Sequence, residues 1–284
     1  MSSILLRVIL VLSMALVLAG TGLAQEAMGK KTRAVAHRFA ANNSLFVLYH
    51  EVGHLLIDQL KLPVLGREED AADNMATWTL LSKNTPAAHA ALADAAYGWL
   101  LSGIAYGSNL DDSDYYASHS LDRQRAFHIV CLMVGSDDRS FRAIATEYAI
   151  DRDRQDTCLW DYELINRSMR SLMASHQPRK ARTAQVRITY HDVSGRLRNA
   201  ADAFRQSGVF EQVAAEVERH YSLNKPVEFN AKRCGEANAF YDSDTVEIIF
   251  CYELMEDFIS LAAKDLQSKG GLHLGPGAGG RISQ

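Results

Sequence analysis

The sequence predicts an α+β chain that is mainly helical, and three observations lead there. Residues 31–175 repeat apolar side chains at helical spacing, residues 186–252 mix strand-like and helix-like runs, and an amphipathic helix follows. Helices are expected at Arg33–Asn42, Leu45–Leu60, Glu68–Leu81, Ala87–Ser102, Ser120–Val134, Phe141–Tyr148 and Cys158–Ala174. Asn42, Asn43 and Ser44 read as N-cap residues for the second of these, and Pro63 with Gly66 closes it. The polar, acidic stretch Tyr106 to Tyr116 reads as a surface loop, and 175–185, with Pro178, as a connector.

Beyond the connector, Val186–His191 and Val227–Lys232 read as strands, with helices at Leu197–Ser207 and Gly208–Tyr221 between them. Ala237–Tyr241 and Thr245–Tyr252 form a candidate hairpin about Asp242-Ser243-Asp244, and Glu253–Ser268 is the closing helix. The organisation is therefore a leader at 1–24, a helical region at 25–175, an α/β region at 176–268 and a Gly-rich tail at 269–284 expected to be disordered. The leader has one basic residue, Arg7, an apolar core at Val8 to Leu18, and small residues ending at Ala24. That is the pattern of a secretory signal peptide, the alternative being an uncleaved anchor.

Chemistry concentrates at residues 50–73. His50 and His54 sit at i and i+4 on a helix, so both imidazoles leave one face a turn apart. This spacing suits two Zn–N bonds of about 2.0–2.1 Å. Glu51 stands beside them as a general base for a water at the metal. Glu69 follows His54 by fifteen positions, on the first turn of the next helix, with Asp73 one turn later on the same face. An antiparallel helix pair brings Glu69 back over the histidines as the third ligand, and Asp73 then orients one of them. The plain alternative is an amphipathic helix with two surface histidines, followed by an acidic helix start that suits the helix dipole.

His-Glu-x-x-His followed by Glu-x-x-Ala-Asp resembles the ligand pattern of gluzincin peptidases, particularly the Ste24/CaaX-prenyl-endopeptidase-like group. The stretch Phe46 to Ala76, with Leu62-Pro63-Val64-Leu65-Gly66-Arg67-Glu68-Glu69-Asp70-Ala71-Ala72-Asp73 at its centre, is similar to a bacterial metallopeptidase family that carries a domain of unknown function. The resemblance implies one Zn2+ per chain on His50, His54 and Glu69, with Glu51 as base and Asp73 behind a histidine. It also implies a zincin-like fold. In such relatives the sheet precedes the histidine helix, whereas here Glu236-Ala237-Asn238-Ala239-Phe240-Tyr241, which resembles their Asn-Ala-Phe edge strand, comes after it. The expectation is an apparent circular permutation: the C-terminal half supplies a small mixed sheet, and Asn238, Ala239 and Phe240 bind an extended peptide substrate by strand addition. The alternative is a structural hairpin in a separate domain. Ser118 to Arg125 resembles a downstream His…Arg element of the same peptidases. It makes His119 an oxyanion donor or a removable ligand, and pairs Arg125 with a helix-borne carboxylate. Otherwise His119 is a helix N-terminal residue and the arginines are solvated.

The 284-residue chain has a formal charge of −4, or −5 without Arg7, and no basic cluster, which argues against a nucleic-acid partner. No stretch beyond the leader is long and apolar enough to span a membrane. Four cysteines, Cys131, Cys158, Cys234 and Cys251, in an exported chain point to two disulfides. Three connectivities are open; the local pairs are preferred, Cys131 with Cys158 tying two helices and Cys234 with Cys251 bracing strands that flank a turn. The expected function is a periplasmic or secreted zinc metallopeptidase acting on peptides or proteins. The alternatives are a catalytically silent zinc-fold protein that binds or chaperones in the envelope, and a hydrolase of cell-wall amides.

Overall fold

A computed structural model describes residues 29–106, 110–174, 176 and 184–268; the leader, the C-terminal tail and most of the connector lie outside them. Helix α1 (Lys30–Leu60) is the axis of the molecule. It has no proline, and its residues from Asn43 to Gly53 are buried on every side. Helices α2 (Glu68–Lys83), α3 (Pro86–Tyr106), α9 (Val209–His220) and α10 (Tyr252–Ser268) all pack on it, as does strand β3 (Ala239–Asp242). It stops where Lys61 turns left-handed, at φ 52°, and the Leu62 N–H returns to Ile57 O before Pro63 bars continuation.

One long helix replaces the two expected at Arg33–Asn42 and Leu45–Leu60. The cap-forming residues between them are satisfied inside the helix. Asn43 Nδ2 donates to Phe39 O at 2.9 Å and Asp94 O at 3.1 Å, and Ser44 Oγ donates to Ala40 O at 2.8 Å. Asn42 Nδ2 meets Asp94 Oδ2 at 2.7 Å. With those bonds made across to α3, no break in the backbone is needed.

A second layer of helices covers α2 and α3: α5 (Asp122–Ser136), α6 (Asp138–Glu147) and α7 (Arg152–Ala174). The acidic stretch expected to be a loop contains the short helix α4 (Asp112–Tyr116), closed by a reciprocal bond pair between Asp111 and Asp114. Helix α7 starts earlier than expected because the Asp151 carboxylate caps the Arg154 N–H at 2.8 Å.

The four-stranded sheet comes entirely from the C-terminal half, in the order β1-β2-β4-β3. Strands β1 (Val186–Tyr190), β2 (Val227–Lys232) and β4 (Glu247–Cys251) are parallel neighbours; β3 is antiparallel to β4 and forms one edge. The α8 (Arg198–Ser207) and α9 pair covers the sheet through Phe204, stacked on Phe250 at 3.9 Å, and Phe210, against Phe229 at 5.1 Å. Apolar burial runs without a gap from Ala36 of α1 to Ala262 of α10, so the sheet and the helical layers share one core.

Both local disulfides form: Cys131 to Cys158 joins α5 to α7, and Cys234 to Cys251 joins the loop after β2 to the end of β4. The second bridge therefore clamps two parallel neighbours and does not flank the β3–β4 turn. No helix among the described residues is long and apolar enough to cross a membrane. The bridges close segments of 27 and 17 residues. From loop closure alone, replacing either pair with serines is expected to lower the unfolding free energy by about 3 kcal/mol, read from urea unfolding with the slope fitted for each variant, since the freed unfolded chain exposes more surface.

Candidate metal and catalytic centre

Helices α1 and α2 approach most closely at Gly53, where an added Cβ would lie 3.0 Å from Ala72 Cα. Without a side chain there, the first turn of α2 reaches over the histidine face of α1. Three donor atoms meet as a result. His50 Nε2 and His54 Nε2 are 3.1 Å apart, and Glu69 Oε2 lies 3.1 Å from the first and 3.3 Å from the second. Three ligands at bonds of about 2.0–2.1 Å on a tetrahedral ion would be separated by about 3.3 Å. Two imidazole nitrogens and one carboxylate oxygen in that triangle fit a zinc ion; this is the metal-type cluster among the described residues.

Each imidazole is held from behind. His50 Nδ1 is 2.8 Å from Asp73 Oδ1, and His54 Nδ1 is 2.8 Å from Glu68 Oε1. With Nδ1 donating to a carboxylate, Nε2 faces the cluster, and it is the atom that a neutral ring would offer to a metal. Asp73, 6% exposed, also receives a fork from Arg125 of α5, Nε to Oδ2 at 2.7 Å and Nη2 to Oδ1 at 2.8 Å. The guanidinium stacks over Trp99 of α3 at 3.6 Å. Burial works to raise Asp73, but Arg125 and His50 overturn it and hold the carboxyl below the usual range. Burial likewise opposes a charge on His50, yet its bonds to Asp73 and Glu69 raise it to about 9. Glu69 is held far below the usual range by hydrogen bonds from His119, His50 and His54.

Glu51 is 5% exposed and lies beside the cluster. Burial raises its carboxyl above the ordinary value, against the opposing pull of His50 and His54. It accepts the backbone N–H of Tyr241 in β3. The Tyr241 hydroxyl donates to Asp58 Oδ2 at 2.7 Å, which pins the edge strand to the last turn of α1. Asn238, Ala239 and Phe240 line the same cleft as the histidines, a space of about 1000 Å³. The Asn238 carbonyl accepts from Cys251 N, so alternation turns the main chains of Ala239 and Tyr241 toward the cleft. There the Ala239 N–H is taken by the Asn238 side chain at 2.9 Å. His119 also reaches the centre: its Nε2 is 2.8 Å from Glu69 Oε2, and its ring stacks over His50 at 6.1 Å.

Every candidate residue from 50 to 73, with His119 and the strand residues, is thus gathered about one cleft, and Arg125 does pair with a helix-borne carboxylate. Sequence reasoning missed Glu68 and Tyr241. Glu68 looks like one more acid at a helix start, and a main-chain N–H has no signature in the side-chain pattern.

Arg125→Ala is expected to cost about 3–5 kcal/mol in urea unfolding, since it strands a buried carboxylate, and Arg125→Lys recovers only a fraction because it lacks the fork. The same depressed carboxyl sets a pH dependence. Its stabilisation is complete above about pH 4, the range of an unfolded-chain aspartate, and is lost as pH falls further.

A family model described as "Putative metallopeptidase" (DUF4344) matches residues 11–173 and 190–273, most of the chain. Neither a curated protein nor a solved structure gives a match.

Proposed function

The chain belongs to this metallopeptidase family, and on that premise we propose an exported zinc-dependent peptidase of the gluzincin type. The observation that carries the reading is the triangle of His50 Nε2, His54 Nε2 and Glu69 Oε2 with the buried Glu51 carboxylate beside it, at the floor of an open cleft. His50, His54 and Glu69 hold the ion. When bound, zinc supplies a Lewis acid and brings the pKa of a water near neutrality.

The chain's own residues do the rest. Asp73 and Glu68 hold the imidazoles in place and fix which ring nitrogen faces the ion. The Glu51 carboxylate takes the proton of the attacking water and passes it to the amide nitrogen as the C–N bond breaks. Its environment suits this work, because burial makes it a stronger base while the Tyr241 N–H fixes its orientation. His119 gives up its bond to Glu69 and donates from Nε2 to the carbonyl oxygen as that becomes anionic. The edge of β3 receives the extended substrate main chain once the Asn238 side chain releases the Ala239 N–H, the Tyr241 N–H staying with Glu51. In this reading the fold is zincin-like with a permuted order, since the edge strand that covers the base is supplied from the C-terminal side. Two disulfides are consistent with an oxidising compartment.

Glu51→Gln is expected to retain one zinc per chain by metal analysis and to lose at least about a hundredfold in peptide hydrolysis. Equal turnover by the variant and wild type would end the mechanism; zinc retained with no hydrolysis by either protein would favour a binding role. Because the metal-free His50 pKa lies near 9, that imidazole carries a proton at pH 7 that the ion must displace. Zinc binding is therefore expected to release protons and to tighten as pH rises, measured by calorimetry in buffers of different ionisation enthalpy.

A further inference from the structure

The cleft is uneven in charge. Its walls carry the carboxylates of Glu51, Asp58, Glu68, Glu69, Asp122 and Asp257, and among its lining residues the one cationic arginine is Arg125. That guanidinium is committed to Asp73 through two hydrogen bonds. A divalent ion would offset Glu51 and Glu69, leaving Asp58, Glu68, Asp122 and Asp257. Lys61, 83% exposed, meets Asp58 from outside the lining, Glu68 faces His54, Asp122 accepts the Ser102 hydroxyl, and Asp257 is engaged as well. Carboxylates outnumber cationic side chains among the lining residues, so the cleft is acidic.

The same cleft has an apolar wall next to the base. Val47, one turn before Glu51 on α1, lies with Trp99 of α3 and Leu254, Phe258 and Leu261 of α10. Trp99 is fixed under the Arg125 guanidinium, so its ring is a rigid face. Low-dielectric walls concentrate the field of nearby charges and raise the local concentration of ligands of opposite sign.

We propose that the substrates are cationic peptides bearing bulky apolar side chains. One such side chain seats against the Val47, Trp99 and Leu254 wall, and flanking lysines or arginines meet the carboxylates. The assignment rests on the peptidase reading above but is tested apart from it.

The test uses three quenched fluorescent peptides with one apolar core, flanked by lysine, glutamine or glutamate. Binding is measured with the zinc-loaded full chain carrying Glu51→Gln, and cleavage with the zinc-loaded wild type. The lysine peptide is expected to bind about tenfold more tightly than the glutamine peptide, and the glutamate peptide more weakly still, with the differences shrinking in high salt. Leu254→Lys and Asp122→Asn, both in the cleft, should narrow the gap, whereas Asp153→Lys on the exposed start of α7 should leave it intact. Equal affinity for the three peptides, preference for the acidic one, or no binding of any would overturn the proposal. Charge-ranked binding without wild-type cleavage would keep the ligand class and overturn the peptidase reading. Cleavage of all three at equal kcat/KM would do the reverse.

Discussion

A carboxylate with almost no solvent, Asp73, joins three helices at one point. It sits on α2, bonds an imidazole of α1 and receives the guanidinium of α5. Removing a charge from water costs several kcal/mol, so the group is tolerable only while both partners are in place. That condition fixes the distances among the three helices more tightly than apolar packing could, because hydrophobic contact has no direction. The histidine that faces the cleft inherits its orientation from this constraint. Trp99, stacked on the far side of the same guanidinium, extends it to α3 and to the wall of the cleft.

Small residues let the charges meet. Gly53 admits Ala72 to the surface of α1 between the two histidines, and Gly98 does the same for the neighbouring helix α3. A Cβ at position 98 would fall 1.9 Å from Asn43 Oδ1, inside the hydrogen-bonded junction of α1 and α3. Both glycines are helical and neither needs an unusual φ, so their role is close approach and not backbone freedom. Buried polar bonds and bare glycine surfaces thus cooperate to keep α1 enclosed by helices and by a strand edge.

Much of this was legible in the chain. Two histidines a turn apart, a carboxylate at the start of the next helix and another one turn on are statements about helix geometry, and local geometry is what spacing encodes. The hairpin and both disulfide pairs were readable for the same reason, since their partners are near in sequence, and the strand at Val227–Lys232 showed in its own alternation. What escaped is non-local. Asn43 looks like a helix cap until the Asp94 carbonyl, 51 positions away, is known to be within reach. Glu68 becomes the support of His54 only after the two helices cross, and the main-chain donor to Glu51 comes from a strand whose placement no periodicity reveals.

The strand that covers Glu51 has a temporal consequence. Tyr241 meets Asp58 across 183 positions, so vectorial synthesis delivers the metal donors long before the element that completes the cleft. Contacts so distant along the chain close slowly, because a large loop must be ordered before any of them forms. A nascent polypeptide therefore holds His50, His54 and Glu69 before the strand that closes their cleft has been made. The cleft is complete only when the last third of the molecule has docked.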